Sequence, residues 1–192
     1  MKRHVTKIVS IAATVTCAIA FSPVSQSQSK TSGPTDPQIV GIVETANAMD
    51  IDYAKLAMSK SKNKEVREFA EQMERDHSTL QKSVQGLASK LGVTPADSGT
   101  EASLKAESRG TKAKLDGLKG KAFNKAYIDN EIAFHKQVID ATNSVLIPNA
   151  KNQELKGALK QAVPLFQGHL EHAQNVAASL ENSHASASGS SY

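Results

Sequence analysis

Three histidines are spaced so that they could act together. His77, His135 and His169, called the layer histidines below, lie on three different predicted helices, each at an apolar seam position near the middle of its helix. In an antiparallel bundle of helices of similar length, the midpoints share one layer, so the three imidazoles could meet at its centre. Imidazole nitrogen binds zinc, iron, manganese and copper, and these residue types do not choose among the metals.

Acidic residues lie close to these histidines in the sequence. Glu74 and Asp76 precede His77 by three residues and one residue, and Glu131 lies one helical turn before the second layer histidine. Asp50 lies near the midpoint of the first helix, which has no acid in its seam. Such carboxylates complete a ligand shell or orient the rings. The sequence therefore predicts a metal site formed by the layer histidines with Glu131, Glu74 and Asp50.

The same residues also fit a metal-free polar layer. A neutral core histidine can donate one N–H to a carboxylate or carbonyl, which avoids an unpaired buried polar group and specifies helix register. Glu131 and Asp50 lie at seam edges, where a solvated carboxylate is the default, and His172 is off the seam. The two alternatives differ in whether the ring nitrogens lie within about 4 Å of a common point, as a bound ion requires.

Four long amphipathic helices must position these side chains. Asp36 as cap and Pro37 as first helical residue begin the first helix, which runs to about Ser61. Asn63 caps the second helix, which ends at Gly92, where glycine supplies a left-handed residue. The apolar seam of the second helix alternates in steps of four and three residues, as in helices that pack at shallow angles.

Three further helices follow. A shorter one begins with a capping box at Ser98 and runs to about residue 118, and a long one covers about 121–146. The last begins at its cap Asn152, and Pro164 is expected to kink it or to mark a break near residue 161. Since no strand pattern competes, the sequence predicts an all-α, up-down four-helix bundle with a short extra helix between the second and third long helices.

The N-terminal segment is typical of a Sec signal peptide. Lys2, Arg3 and Lys7 precede an apolar run over residues 8–21, which is too short to span a bilayer, and small polar residues follow it. No second apolar stretch of about 20 residues occurs, so no transmembrane segment is expected in the mature chain. We expect a signal peptide over 1–27, a polar leader over 28–35, a bundle domain over 36–182 and a disordered tail over 183–192.

Composition excludes several classes of function. Removal of the signal peptide takes three basic residues and the single cysteine, so the net charge falls from +4 to +1 and no disulfide or cysteine-based metal site can form. Aromatic residues make up only 4% of the chain, which argues against a nucleic-acid partner bound by stacking. Phosphate-binding loops and HExxH or GxSxG motifs are absent from the sequence, so we expect a binding protein rather than an enzyme.

A basic segment lies between residues 101 and 125, with seven bases against three acids. It could contact anionic lipid headgroups, surface polysaccharide or another protein, although a solvated helical face is the simpler explanation. The seven bases are Lys105, Arg109, Lys112, Lys114, Lys119, Lys121 and Lys125.

Several short motifs are together specific although each is weak. They are DIDYAKLA at 50–57, FAEQM at 69–73 with Asp76-His77, LGVTP at 91–95, LKG at 118–120, AYIDNE at 126–131 with His135, LIPN at 146–149, and Pro164 with His169-Leu170. Residues 36–180 thereby resemble the bacterial exported family catalogued as domain of unknown function 4142, whose members are often labelled outer-membrane proteins and regarded as ferritin-like. The resemblance implies a ferritin-like up-down bundle and an envelope location, and it supplies no activity.

The comparison with ferritin-like proteins also shows a departure. Di-iron carboxylate bundles use two Glu-x-x-His motifs and a Glu from each of the other two helices. Only Glu74 and His77 have that spacing here, since Glu131 is four residues before its histidine and no acid precedes His169 by one turn. A mononuclear site, or none, therefore fits better than a ferroxidase. We expect an exported bundle acting in metal handling or stress protection, or else a metal-free envelope module that uses the basic segment.

Overall fold

The computed structural model describes residues 33–188, with side chains described up to residue 182. The predicted signal peptide, most of the polar leader and the last four residues of the predicted tail lie outside the described residues. Within 33–188 the chain is helical and contains no strand. The elements are α1 Asp36–Lys60, α2 Lys64–Leu91, α3 Gly99–Asp116, α4 Gly120–Ala141, a π-helical segment Thr142–Leu146, α5 Ile147–Asn149 and α6 Gln153–Ser188.

This order of elements confirms the predicted all-α bundle. Helices α1, α2, α4 and α6 are the four long helices, and α3 is the extra helix between the second and third of them. Helix α1 packs mainly against α2, and α4 mainly against α6. Helix α3 packs on α1 and supplies the fully buried Leu115 to the core.

The helix ends follow from capping residues. The Asn63 side chain accepts a hydrogen bond from the Val66 backbone N–H at 3.0 Å, and Gly92 adopts φ 64°, as predicted for the two ends of α2. The cap of α1 was predicted one residue too late, since Thr35 is the N-cap and Asp36 is the first helical residue. The Asp36 carboxylate instead accepts hydrogen bonds from the backbone N–H groups of residues 151 and 152, which ties the start of α1 to the start of α6.

Two prolines have different effects on the long helices. Pro148 lacks the N–H that the carbonyl four residues earlier would accept, and the end of α4 widens into the π-helical segment before it. Pro164 lies inside α6, which continues without the break expected near residue 161. Helix α6 also runs past the expected boundary at residue 182 to Ser188, because the sequence offers alanine and serine but no glycine until Gly189.

The apolar core is divided into two clusters. One contains Ile39, Ile42, Leu146 and Leu155, towards the start of α1 and of α6. The other contains Phe69 with other large residues of α2 and α4, together with the later part of α6. On α2 and α6, His77 and His169 lie between the two clusters. On α1 and α4, the buried polar residues Asn47, Asp50, Glu131 and His135 alternate with Met49 and Phe134 of the second cluster. A polar layer, defined by these six residues, therefore crosses the middle of the bundle.

Candidate metal centre

The fold brings the three layer histidines together. His77, His135 and His169 are 3%, 1% and 0% exposed, so none of them meets bulk water. Their ring centroids are separated by 5.7 Å between the first and second, 5.2 Å between the first and third, and 5.3 Å between the second and third. One ring nitrogen from each residue lies within 4.8 Å of those of the other two. That separation satisfies the requirement for a common point within about 4 Å of all three nitrogens.

One nitrogen of each ring is held by an acceptor of the protein. His77 Nδ1 lies 2.9 Å from Asn47 Oδ1, and His135 Nδ1 lies 3.0 Å from the Glu131 backbone carbonyl oxygen. His169 Nε2 lies 3.0 Å from Asp76 Oδ2. Amide, carbonyl and carboxylate oxygens accept, so in each pair the ring N–H donates. A neutral imidazole has one N–H, and the tautomer of all three rings is thereby fixed.

The other nitrogen of each ring is left with a lone pair and no hydrogen-bond partner. These buried atoms are His77 Nε2, His135 Nε2 and His169 Nδ1. Two of them face one carboxylate, because Asp50 Oδ2 lies 3.2 Å from His77 Nε2 and 3.6 Å from His135 Nε2. Metal-binding histidines have this arrangement, with one nitrogen oriented by an acceptor and the other directed at the ion.

Two acidic side chains complete the layer. Asp50 and Glu131 are both 0% exposed, so the solvated carboxylates considered as a default do not occur. Ligand atoms of these two acids and of His135 lie within 4.8 Å of one another, which gives a second possible ligand group that shares His135 with the first. The Asp50 and Glu131 carboxyl groups lie against each other, and Asn130 lies beside Glu131. Four buried carboxyl oxygen atoms thus lie beside three nitrogen lone pairs.

Burial sets the charge state of this centre. Desolvation raises the pKa of Asp50 to about 7. It also raises the pKa of Glu131 well above its ordinary value, and the nearby Asp50 raises it further. Desolvation lowers the pKa of His77 well below its ordinary value and that of His135 to about 4. Near neutral pH the imidazoles are therefore neutral, and the layer contains acidic protons that a bound cation would displace.

Comparison with known proteins gives the family of this chain. A family model described as domain of unknown function (DUF4142) matches residues 21–176. The chain belongs to the DUF4142 family. This confirms the resemblance inferred from the short motifs, and the description of the family carries no activity. A search of curated proteins finds no match.

Two solved structures share the fold of this DUF4142 chain. One is a DUF305 protein of Streptomyces coelicolor described as a candidate secreted protein, with 10% identity, TM-score 0.62 and coverage of 75% of this chain and 92% of that one. The other is a DUF305 fragment from Deinococcus radiodurans, with 18% identity, TM-score 0.64 and coverage of 76% and 98%. At such identities the likeness is one of fold alone. None of the described helices combines the length and hydropathy needed to cross a membrane.

Two predicted neighbours of the centre lie outside it. Glu74, predicted as a ligand, accepts a hydrogen bond from Ser78 and is not among the residues whose ligand atoms converge. The Nδ1–H of His172 donates to Gln72 Oε1 at 2.8 Å, and its ring packs edge-on against Phe69. His172 therefore stiffens the contact between α2 and α6 one turn away from the layer.

Two residues that orient the layer were harder to find from sequence. Asn47 was missed, although it lies three residues before Asp50 and so on the same face of α1. Asp76 was noted only as the neighbour of His77, whereas it accepts the hydrogen bond of His169 from a different helix. Residues adjacent in sequence on a helix point about 100° apart, which is why Asp76 serves another ring.

Several members of the basic segment are paired within the chain. Lys105 binds Glu101, which is buried, and Lys112 binds Asp52 at 3.0 Å. Lys125 binds Asp129 at 2.9 Å, one turn further along α4. These pairs reduce the positive charge that the segment presents to an anionic surface.

Proposed function

We propose that this DUF4142 protein is exported and binds one divalent transition-metal ion in its polar layer. The ligands are His77 Nε2, His135 Nε2, His169 Nδ1 and the Asp50 carboxylate. The observation that carries the proposal is the set of three buried ring nitrogens, each unpaired while the other nitrogen of its ring is held by a protein acceptor. Leaving three such atoms unpaired costs stability in an empty bundle, and an ion at their common point removes that cost.

The donor set suits a mononuclear site. Three neutral imidazoles and one carboxylate match the ligand types that zinc, iron, manganese and copper accept, and all four metals remain candidates. Glu131 lies against the Asp50 carboxyl group and is placed to hydrogen-bond it when the ion replaces a proton. Binding of the ion therefore releases protons from the acidic pair.

The burial of the layer histidines supports a biological role in which the protein retains a bound metal ion. The layer histidines are at most 3% exposed, so an ion bound there exchanges with solvent only when the bundle opens. Slow exchange is suited to metal handling or to stress protection in the envelope. Export itself is proposed from the signal peptide predicted over residues 1–27.

The alternative is a metal-free envelope module that uses the basic segment. Lys105, Lys112 and Lys125 each pair with an acid of the same chain, which leaves less charge for an anionic partner. In a metal-free layer, Asp50 lies 3.2 Å from His77 Nε2 and beside Glu131, whereas His169 Nδ1 is buried with no hydrogen-bond partner among the described residues. We therefore prefer the metal-binding function.

The test is titration of chelator-stripped protein with Zn²⁺, Mn²⁺, Fe²⁺ and Cu²⁺, by calorimetry and by thermal unfolding. We expect one ion per chain for at least one metal, and a rise in melting temperature because the ion binds only the folded state. His169→Asn should weaken binding at least about 100-fold, while His172→Asn, on the same helix, should not change it. No bound ion in elemental analysis, with an unchanged melting temperature under all four metals, would refute the proposal.

A further inference from the structure

The bundle contains a cavity of about 340 Å³ beside the polar layer. Its walls come from α1, α2, α3, α4 and α6, on the side of the layer that holds Ile42, Leu146 and Leu159. Small-molecule sites typically occupy about 300–1,000 Å³, whereas protein interiors rarely leave voids larger than a water molecule. Because the exposed residues Ser83, Thr100 and Gln137 also line this space, it is a cleft of the size of a ligand site that is open to solvent on one side.

Small side chains keep this space open. Ala46, Ala141, Ala158 and Ala162 line the cavity from three helices, at positions where a leucine or phenylalanine would fill it. Most other lining residues are aliphatic or aromatic. No Asp, Glu, Lys or Arg occurs among the described residues that line the cavity. The lining therefore favours an uncharged apolar molecule, because a charged one would be desolvated without a partner.

Two members of the polar layer, Asn47 and His77, line the cavity, and Asn47 is 3% exposed. The other polar lining residues are Ser83, Thr100, Gln137, Thr142 and Gln161. Asn47 Oδ1 accepts the hydrogen bond of His77 Nδ1, while Asn47 Nδ2 is buried with no partner. An amide NH₂ group can donate two hydrogen bonds and cannot accept any. A ligand that places an oxygen acceptor beside Asn47 would therefore pair this donor.

We propose that this cavity binds an elongated, uncharged apolar molecule with a carbonyl oxygen at or near one end, such as a medium-chain ketone, aldehyde or ester. The carbonyl oxygen accepts a hydrogen bond from Asn47 Nδ2, and the hydrocarbon chain lies along the alanine-lined wall. The site goes beyond the metal-binding function and does not depend on it, since its walls and its donor are present in the metal-free chain.

The binding test uses displacement of the uncharged fluorescent probe N-phenyl-1-naphthylamine from chelator-stripped protein. The chain contains no tryptophan, so the fluorescence of the probe has little background. We expect 2-decanone to compete about 2- to 10-fold better than decane, which lacks the acceptor. Decanoate, ionised at pH 7.5, should compete at least about 10-fold worse than 2-decanone, because the cavity offers its charge no partner.

Variants distinguish binding in this cavity from non-specific binding of apolar molecules to the protein surface. Ala162→Phe and the smaller change Ala158→Leu fill the cavity and should weaken 2-decanone at least about 10-fold, while Ala102→Phe, at an exposed alanine of α3, should not. Asn47→Leu removes the NH₂ donor without adding a titratable group, so the preference for 2-decanone over decane should disappear. Equal competition by the ketone and the hydrocarbon in the native sequence, or unchanged binding in both filling variants, overturns the proposal. Failure of metal binding leaves these outcomes unaffected.

Discussion

Replacing Asp50 by asparagine should stabilise the metal-free protein. The carboxyl group is fully buried, and its pKa of about 7, against an ordinary 3.8, means that the fold disfavours the ionised form. Because this pKa is about three units above its ordinary value, ionisation of Asp50 lowers the free energy of unfolding at pH 7.5 by roughly 4 kcal/mol, at about 1.4 kcal/mol for each unit. Asparagine is an uncharged isostere and escapes that loss, but its amide brings a buried donor that costs about 1–3 kcal/mol.

We therefore expect Asp50→Asn to raise the free energy of unfolding of the metal-free protein by about 1–3 kcal/mol. For a domain of this size that gain raises the melting temperature by about 3–10 °C. The measurement is thermal unfolding by circular dichroism, on chelator-stripped protein at pH 7.5. The matched control is Asp52→Asn, two residues along α1, where the carboxylate is half exposed and pairs with Lys112. The control should change stability by no more than about 1 kcal/mol.

Metal binding should respond to Asp50→Asn in the opposite direction. Loss of the carboxylate ligand should weaken metal binding by at least about 100-fold, which exceeds the effect typical of replacing a residue that only orients a ligand. If Asp50 lowers the stability of the metal-free protein but strengthens metal binding, its role is to bind the ion and not to stabilise the fold. If the metal-free variant is less stable than the native sequence, Asp50 supports the empty core and the reasoning fails.

Three further predictions follow from the same centre and from the N-terminus. Asp76→Leu should weaken metal binding about 10- to 100-fold in chelator competition, because His169 loses its acceptor, whereas Asp76→Asn keeps an acceptor oxygen and should lose little. In urea denaturation of metal-free protein, the free energy of unfolding should gain from the histidines as the pH rises to about 6.5, since burial lowers their pKa values, while Asp50 and Glu131, whose pKa values are raised, oppose this gain. It should fall as the pH rises through about 7, where folded Asp50 and Glu131 still hold protons that the unfolded chain has lost; a flat profile would contradict the assigned charge states. Mass spectrometry of the exported protein should show a chain that begins near residue 28, and an intact Met1 would contradict the signal peptide.

Most of the fold could be predicted because it depends on local patterns. The seam of α2 and the caps at Asn63, Gly92 and Asn152 are encoded within a few residues, and each is found in the structure. The effect of Pro164 is not local, since packing of α6 against α4 keeps the helix continuous despite the lost backbone donor. Whether a proline breaks a helix depends on that packing, which the sequence of one helix does not contain.

The centre could be predicted only in part. His77, His135 and His169 occupy seam positions at matching depths, so their meeting follows from periodicity. The complete burial of Asp50 does not follow, because a seam-edge residue is covered or exposed according to how closely the neighbouring helices approach. The contact between Asp76 and His169 depends on the rotation of α2 relative to α6, and no spacing within either helix reports that rotation.

The division of the apolar core by the polar layer has a consequence for folding cooperativity. We expect the polar layer to weaken the coupling between the two hydrophobic clusters, which are joined by contacts such as those of Leu104, a residue that packs against both. An ion bound in the layer would join α1, α2, α4 and α6 at one point and strengthen that coupling. Amide exchange in the metal-free chain should then show different opening free energies for the two ends of the bundle, and a single value once the ion is bound.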